Sequence, residues 1–187
     1  MKNLLLGALL MLLGAVSIQA QHITSEPPCK SSFWDRTYGP MARFADPPAR
    51  THLEHRCVVV TGKVYRIYPP DQDGDYKMLL TVDLQRIRDY ERFGVHLLNF
   101  FNFTGGRDGR LVVEVVCAYP VTDPDRRNGA YIVCPGYTNR VYKPRREGER
   151  VSVIGELVTD TGPSRANPVQ DHGWKEIHPV TSITPIP

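Results

Sequence analysis

Cys57-Val58-Val59-Val60-Thr61-Gly62-Lys63-Val64-Tyr65-Arg66-Ile67-Tyr68 is a long run of β-branched and aromatic residues with a glycine near its middle. That composition favours a strand, and a glycine inside a strand marks a bulge or a sharp bend. Further along, Val153-Ile154-Gly155-Glu156-Leu157 repeats the small pattern of Val60-Thr61-Gly62-Lys63-Val64. Glycine at these points lets a strand coil hard enough to serve two sheets, which a small five-stranded barrel requires.

Outward from the first run, Pro69-Pro70-Asp71-Gln72-Asp73-Gly74-Asp75 is turn chemistry, with Asp-Gly the strongest hairpin signal. Tyr76 to Val82 then alternates, placing Tyr76, Met78, Leu80 and Val82 on one face. These two runs are expected to form a hairpin. Asp83 to Arg110 reads as a connection, with a helical turn or two around Leu84, Ile87 and Tyr90 and a glycine-rich turn over Gly105-Gly106-Arg107-Asp108-Gly109. Leu111 to Ala118 reads as a third strand, Gly148 to Val158 as a fourth and Trp174 to Ile183 as a fifth. Tyr119 to Glu147 is a second long connection. The expected fold is all-β: a five-stranded OB-fold-like barrel over residues 57–187.

Before the barrel, Met1-Lys2 followed by an almost wholly apolar stretch to Ile18, with Ala20 offering a small residue for cleavage, has the build of a signal peptide over residues 1–20. An N-terminal anchor is the alternative, since Ile18 is not the ideal small residue. Residues 21–56 are Pro-rich, with Pro27, Pro28, Pro40, Pro47 and Pro48, and read as an extended arm. Nothing after the leader is apolar enough to span a bilayer, and the expected location is secreted or periplasmic. Loss of Lys2 with the leader leaves 22 of the 23 Lys+Arg against 20 Asp+Glu. That balance is too near zero to argue for a nucleic-acid or lipid partner from bulk charge.

Four cysteines in an exported chain suggest two disulfides. Cys29–Cys57 would tie the arm to the first strand, and Cys117–Cys134 would close the connection after the third. Zinc is disfavoured because no spacing has the C-x₂₋₄-C form.

Asp73-Gly74-Asp75, Glu114 inside a Val-rich strand, Gly136-Tyr137 and the closing His172-Gly173-Trp174-Lys175-Glu176-Ile177-His178-Pro179-Val180 together resemble a group of uncharacterised exported bacterial OB-fold proteins. The resemblance covers roughly Cys57 to Ile183 and implies the fold, not a chemistry. Asp-Gly-Asp is also similar to the thermonuclease-like OB-fold nucleases, in which the second Asp binds calcium. Here Tyr76 stands where that family has Thr, and the later Asp-Thr-x-Glu stretch is missing, so its catalytic set does not transfer.

The last strand concentrates the polar chemistry. Trp174, Glu176 and His178 alternate, so they share one face. Asp171, His172 and Asp160 border the same loop. A carboxylate and histidine cluster of this kind suits a divalent metal or a general base beside a phosphate. Solvated Glu and His on an open strand face is the plain alternative. Glu114 must pair with a cation or face the groove, because an unpaired buried carboxylate is costly. Arg140-Val141-Tyr142-Lys143-Pro144-Arg145-Arg146 is the basic run, either a nucleic-acid groove or a solvated loop. Asn102-Phe103-Thr104 matches a glycosylation sequon.

Two functions follow as expectations. One is a ligand-binding module that presents Tyr65, Lys77, Tyr137, Arg140 and Trp174 to single-stranded nucleic acid or an oligosaccharide. The other is a metal-dependent hydrolase of the phosphodiesterase or nuclease type. It would use Glu176, His178 and Glu114 as catalytic groups and Asp75, Asp160 and His172 as metal ligands, with Arg66 or Arg140 on phosphate. No Gly-x-Ser-x-Gly occurs to support a serine nucleophile.

Overall fold

A computed structural model describes residues 51–122, 134, 138–161 and 173–187. The expected leader, most of the arm, and Cys29, Tyr137, Asp171 and His172 lie outside the described residues. The chain forms β1 (Thr51–Ile67), β2 (Tyr76–Val82), α1 (Leu84–Glu91), a 3-10 turn (Phe100–Phe103), β3 (Leu111–Val115), β4 (Arg150–Asp160) and β5 (Trp174–Pro185). The strands close into a barrel in the order β1-β2-β3-β5-β4. Every pairing is antiparallel except β3 with β5, which is parallel. The fold is the expected five-stranded OB-fold-like barrel. Among the described residues no helix is long and apolar enough to cross a membrane.

β1 starts at Thr51 rather than Cys57, inside the stretch read as arm, because His52, Leu53 and His55 pair with the end of β4. Its polar start carries no clear period, and cross-strand pairing supplies what local composition does not signal. β3 stops at Val115, short of Ala118: Cys117 has φ +57, which takes the backbone out of the sheet. Cys117 is disulfide-bonded to Cys134 as expected, and no free cysteine occurs among the described residues.

The glycines act where strands are shared. Gly62 pairs with Val82 of β2 on one side and Val151 of β4 on the other. Gly155 pairs with Val58 of β1 and Val180 of β5. A Cβ on Gly155 would lie 2.4 Å from Ile177 Cγ2 and 2.6 Å from Pro179 O, and one on Gly62 would lie 2.4 Å from Thr81 O. At both corners the strands approach too closely for any side chain.

The alternation of each strand fills the barrel. Val58, Val60 and Val64, the expected Tyr76, Met78, Leu80 and Val82, then Leu111, Val113, Val115, Val151, Val153, Leu157, Ile177 and Val180 form one buried cluster. Ile87 and Tyr90 of α1 pack against it, and the Tyr90 hydroxyl accepts from Val59 N at 2.7 Å. The opposite parity of β2, β3 and β5 therefore points outward: Asp75 (just before β2), Lys77, Glu114, Trp174, Glu176 and His178.

Asn102 locks the lower edge of that face. Fully buried, it accepts from Asn99 N and Lys175 N, each at 3.0 Å, and donates to Arg110 O at 3.0 Å and Lys175 O at 2.8 Å. These bonds use the whole donor and acceptor capacity of the amide. The sequon at Asn102 is thus a structural bracket between the 3-10 turn and β5, with no nitrogen left for a glycan.

Gly155→Ala is expected to destabilise the protein by about 1–3 kcal/mol, the usual range for overpacking where neighbours cannot yield. Denaturant unfolding would show it as a lower midpoint at unchanged slope; an unshifted midpoint would mean that this corner is not closely packed.

Candidate functional site

Strand pairing assembles the site. Lys77 of β2 lies opposite Glu114 of β3, and Val112 of β3 lies beside Glu176 of β5. Because β3 and β5 run parallel, advancing two residues along each brings Glu114 and His178 to the same level. His178 Nδ1 is 3.0 Å from Glu176 Oε1 and 3.7 Å from Glu114 Oε2. Trp174 Nε1 donates to Glu176 Oε2 at 2.8 Å. Lys77 Nζ is 2.6 Å from Glu114 Oε1; the approach is close but not aligned as a hydrogen bond, so the contact is an ion pair.

Asp75 joins from the hairpin turn. Gly74, with φ +86, turns the chain, and its carbonyl accepts from Tyr119 N at 2.8 Å. Asp75 Oδ1 then accepts from Cys117 N at 3.0 Å, so the residue that leaves β3 also fixes this carboxylate. One ligand atom from each of Asp75, Glu114 and His178 lies within 4.8 Å of the other two. Read alone, the Asp-Gly-Asp triplet favours a polar hairpin turn; the structure makes its last member part of the cluster.

All four central groups are buried: Asp75 is 5% exposed, Glu114 5%, Glu176 0% and His178 8%. Burying isolated charge is expensive, and here three carboxylates are matched by Lys77 and one imidazole. Burial raises the pKa of Glu176 to about 7, with repulsion from Glu114 adding to it and the His178 hydrogen bond opposing it. Burial likewise pushes Asp75 well above the usual carboxylate range, reinforced by Asp73. For His178 burial disfavours charge, but the hydrogen bond to Glu176 and the fields of Glu114, Glu176 and Asp75 outweigh it and raise the pKa to about 10. Lys77 is treated alike: burial works against its charge, and Glu114 overrides that and holds the ammonium protonated.

Both Glu176 oxygens are engaged, by Trp174 and by His178, and the second contact orients the imidazole. Nδ1, 3.0 Å from Glu176 and 3.7 Å from Glu114, is the imidazole nitrogen that meets both glutamates.

The remaining expected residues divide. Asp160 is buried and pairs in register with Trp174; its field reaches Glu176, but it is not among the three convergent ligands. Tyr65 lies on the outer side of β1 within reach of Asp108, Arg66 and Arg110, separate from the carboxylates. Arg140 is exposed and has no hydrogen bond or ion pair among the described residues. The reading of the 140–146 run as a solvated loop fits its balance: Tyr142 bonds Glu149, and Lys143 donates to the carbonyls of Asn139 and Val141. His178 is a mid-strand residue, not a strand cap.

Two contributors stand outside the expected set. Asp73 accepts from Asp75 N at 3.1 Å, and its carboxyl is raised chiefly by burial. Arg107 stacks its guanidinium 4.0 Å over the Trp174 ring. The adjacency of Asp73 to Asp75 was a usable signal; Arg107 sits in a glycine-rich turn whose sequence says nothing about which strand it will meet.

Comparison with protein-family models, curated proteins and solved structures finds no match for this chain. The reading of the site rests on its geometry.

The folded cluster holds protons that the unfolded chain would release. Its contribution to stability is therefore complete below about pH 4.5, falls as pH rises through about 7 for Glu176, and falls further between 6.5 and about 10 for His178. In chelator, the difference in thermal midpoint between the native chain and an E176Q/H178Q variant is expected to shift against the native chain from pH 5 to pH 9. A difference moving the other way would contradict the assigned proton positions.

Proposed function

We propose that this is an exported, divalent-cation-dependent hydrolase acting on phosphodiesters, with Asp75, Glu114 and His178 holding the cation. The observation that carries the reading is the convergence of those three ligand atoms within 4.8 Å while Glu176 holds His178 Nδ1. Export is supported by the leader-like residues 1–20 and by the Cys117–Cys134 disulfide, a bond that persists in oxidising compartments. Two oxygen donors and one imidazole suit Mn²⁺ or Zn²⁺ better than Ca²⁺, which prefers six to eight oxygens.

A cation bound there would lower the pKa of a bound water toward neutrality and so supply hydroxide. The chain's own residues do the rest. Glu176 fixes the imidazole in place, and a cation that took His178 as a ligand would displace the proton that the surrounding carboxylates favour there. Lys77 balances the negative surplus at Glu114 and presents an ammonium at the edge of the cluster, where phosphate charge would gather. Asp73, at the rim, can take the proton of the attacking water. Hydroxide adds to phosphorus, the bond to the leaving oxygen breaks, and that oxygen takes its proton from solvent.

A second reading, a binding module for single-stranded nucleic acid or an oligosaccharide, is favoured by the burial of the cluster and by the arginine-stacked aromatics beside it. It differs from the first in needing no cation.

Purified protein incubated with single- and double-stranded nucleic acid, in Mn²⁺, Zn²⁺, Mg²⁺, Ca²⁺ or chelator, separates the two. Cleavage in Mn²⁺ or Zn²⁺ that falls at least ~100-fold in Asp75→Asn is the expected result. Glu176→Gln is expected to weaken cation affinity ~10–100-fold by calorimetry, the usual loss when a group orienting a ligand is removed. Retention of nucleic acid without cleavage supports the module. If none of these cations bound more tightly to the native chain than to Asp75→Asn, the hydrolase would be ruled out.

A further inference from the structure

The turn from Thr104 to Arg110 is unusually tight: Gly105, Gly106, Asp108 and Gly109 all have positive φ. It carries Arg107 and Arg110 on either side of Asp108, and it reaches two aromatic rings. Arg107 lies over Trp174 at 4.0 Å, and its Nε donates to Phe101 O at 3.2 Å. Arg110 lies over Tyr65 at 4.7 Å, with Nη1 donating to Asp108 O at 3.0 Å. Arg66 of β1 approaches the same Tyr65 ring at 5.6 Å. The turn thus spans from the β5 edge of the acidic cluster to the outer side of β1.

Charge along this strip is not balanced by direct ion pairs, although the fields of Asp160 and Glu176 reach Arg107 from the cluster side. Asp108 is the carboxylate in contact, 3.8 Å from Arg66, and neither Arg107 nor Arg110 has an ion pair among the described residues. A guanidinium stacked on an aromatic face has already lost most of its rotamer freedom and presents its N–H edge, the fork that matches a phosphate. Tyr65, 37% exposed, adds a flat apolar surface beside them.

The geometry points to this turn as a clamp for single-stranded nucleic acid, with Arg107 and Arg110 gripping successive phosphates and Tyr65 supporting a base. A neutral oligosaccharide would offer no anionic group to the two guanidiniums. A duplex keeps its bases stacked on one another, where Tyr65 cannot reach a face, whereas a single strand offers both phosphate charge and free base faces. The clamp rests on the phosphodiester reading above only in naming its substrate, since gripping the strand needs no cation.

Fluorescence anisotropy with a labelled oligothymidylate, in chelator so that no cleavage can occur, tests it. The native chain is expected to bind the strand at least ~10-fold more tightly than a duplex of equal length. Arg107→Gln and Arg110→Gln are each expected to weaken binding ~5–10-fold. The double variant should flatten the slope of log affinity against log salt by about 1.4, two contacts at about 0.7 each. Arg107→Lys, which keeps the charge and loses the fork, should fall between native and Arg107→Gln, a graded loss that simple misfolding would not give; thermal melts check that each variant is folded. Binding in chelator with no cation affinity at Asp75 leaves the clamp standing and removes the hydrolase. Cation affinity with no strand binding does the reverse. Native affinity in the double variant, equal affinity for duplex, or displacement by a neutral oligosaccharide would overturn the clamp.

Discussion

Glu176 is a carboxylate with no exposed surface, gripped at one oxygen by the indole of Trp174 and at the other by the imidazole of His178. A charge in that position is tolerable only if each oxygen is satisfied and an opposite charge stands close. All three residues come from alternate positions of one strand, so the grip forms as soon as β5 is extended. It then sets the rest: His178 has Nδ1 committed, and Glu114 and Asp75 must be accommodated around a group already carrying charge. The usual resolution of such a surplus is protonation or a cation, and the raised values at Glu176, Asp75 and His178 show how strongly the protein, left to itself, draws on protons.

Barrel topology brings the other members in. Inserting β5 in parallel beside β3 places two carboxylate-bearing strands edge to edge, with Glu114 and His178 level and Lys77 across from Glu114 on the far side. An antiparallel β5 would have placed different residues beside Glu114. The closure that makes this possible depends on Gly62 and Gly155, each of which pairs with two neighbouring strands at once. A steric requirement at two corners of the barrel is thereby coupled to an electrostatic one on its outer face.

Much of this was legible in the sequence, for definable reasons. Period-two alternation placed Trp174, Glu176 and His178 together, and Glu114 stood out as a lone acid in an apolar strand. Mid-strand glycines announced a barrel. Asp75 is an expected ligand, but what fixes it is long-range: it gains its place from Cys117 N, 42 positions away. Arg107, outside the expected set, gains its place from Trp174; neither pairing has a local signature. Others were misdirected by local pattern: Asn102 reads as a sequon but is consumed by backbone bonds, and the start of β1 is polar because its partner, not its composition, makes it a strand. Glu176 lies on the expected face, and the occupancy of its two oxygens by Trp174 and His178 is a property of geometry alone.

The disulfide and the acidic cluster meet at Cys117. Cys117 leaves the sheet with a left-handed backbone that non-glycine residues rarely adopt, and its N–H is the donor to Asp75 while its carbonyl accepts from Asn139 N. Cys117–Cys134, with Val116 and Val121, forms a small buried cluster of its own, apart from the barrel core. That satellite has little apolar area of its own beside the bond to hold the turn. One residue thus carries both the disulfide and the backbone amide that fixes Asp75, so the covalent constraint and the geometry of the acidic cluster meet at a single point of the chain.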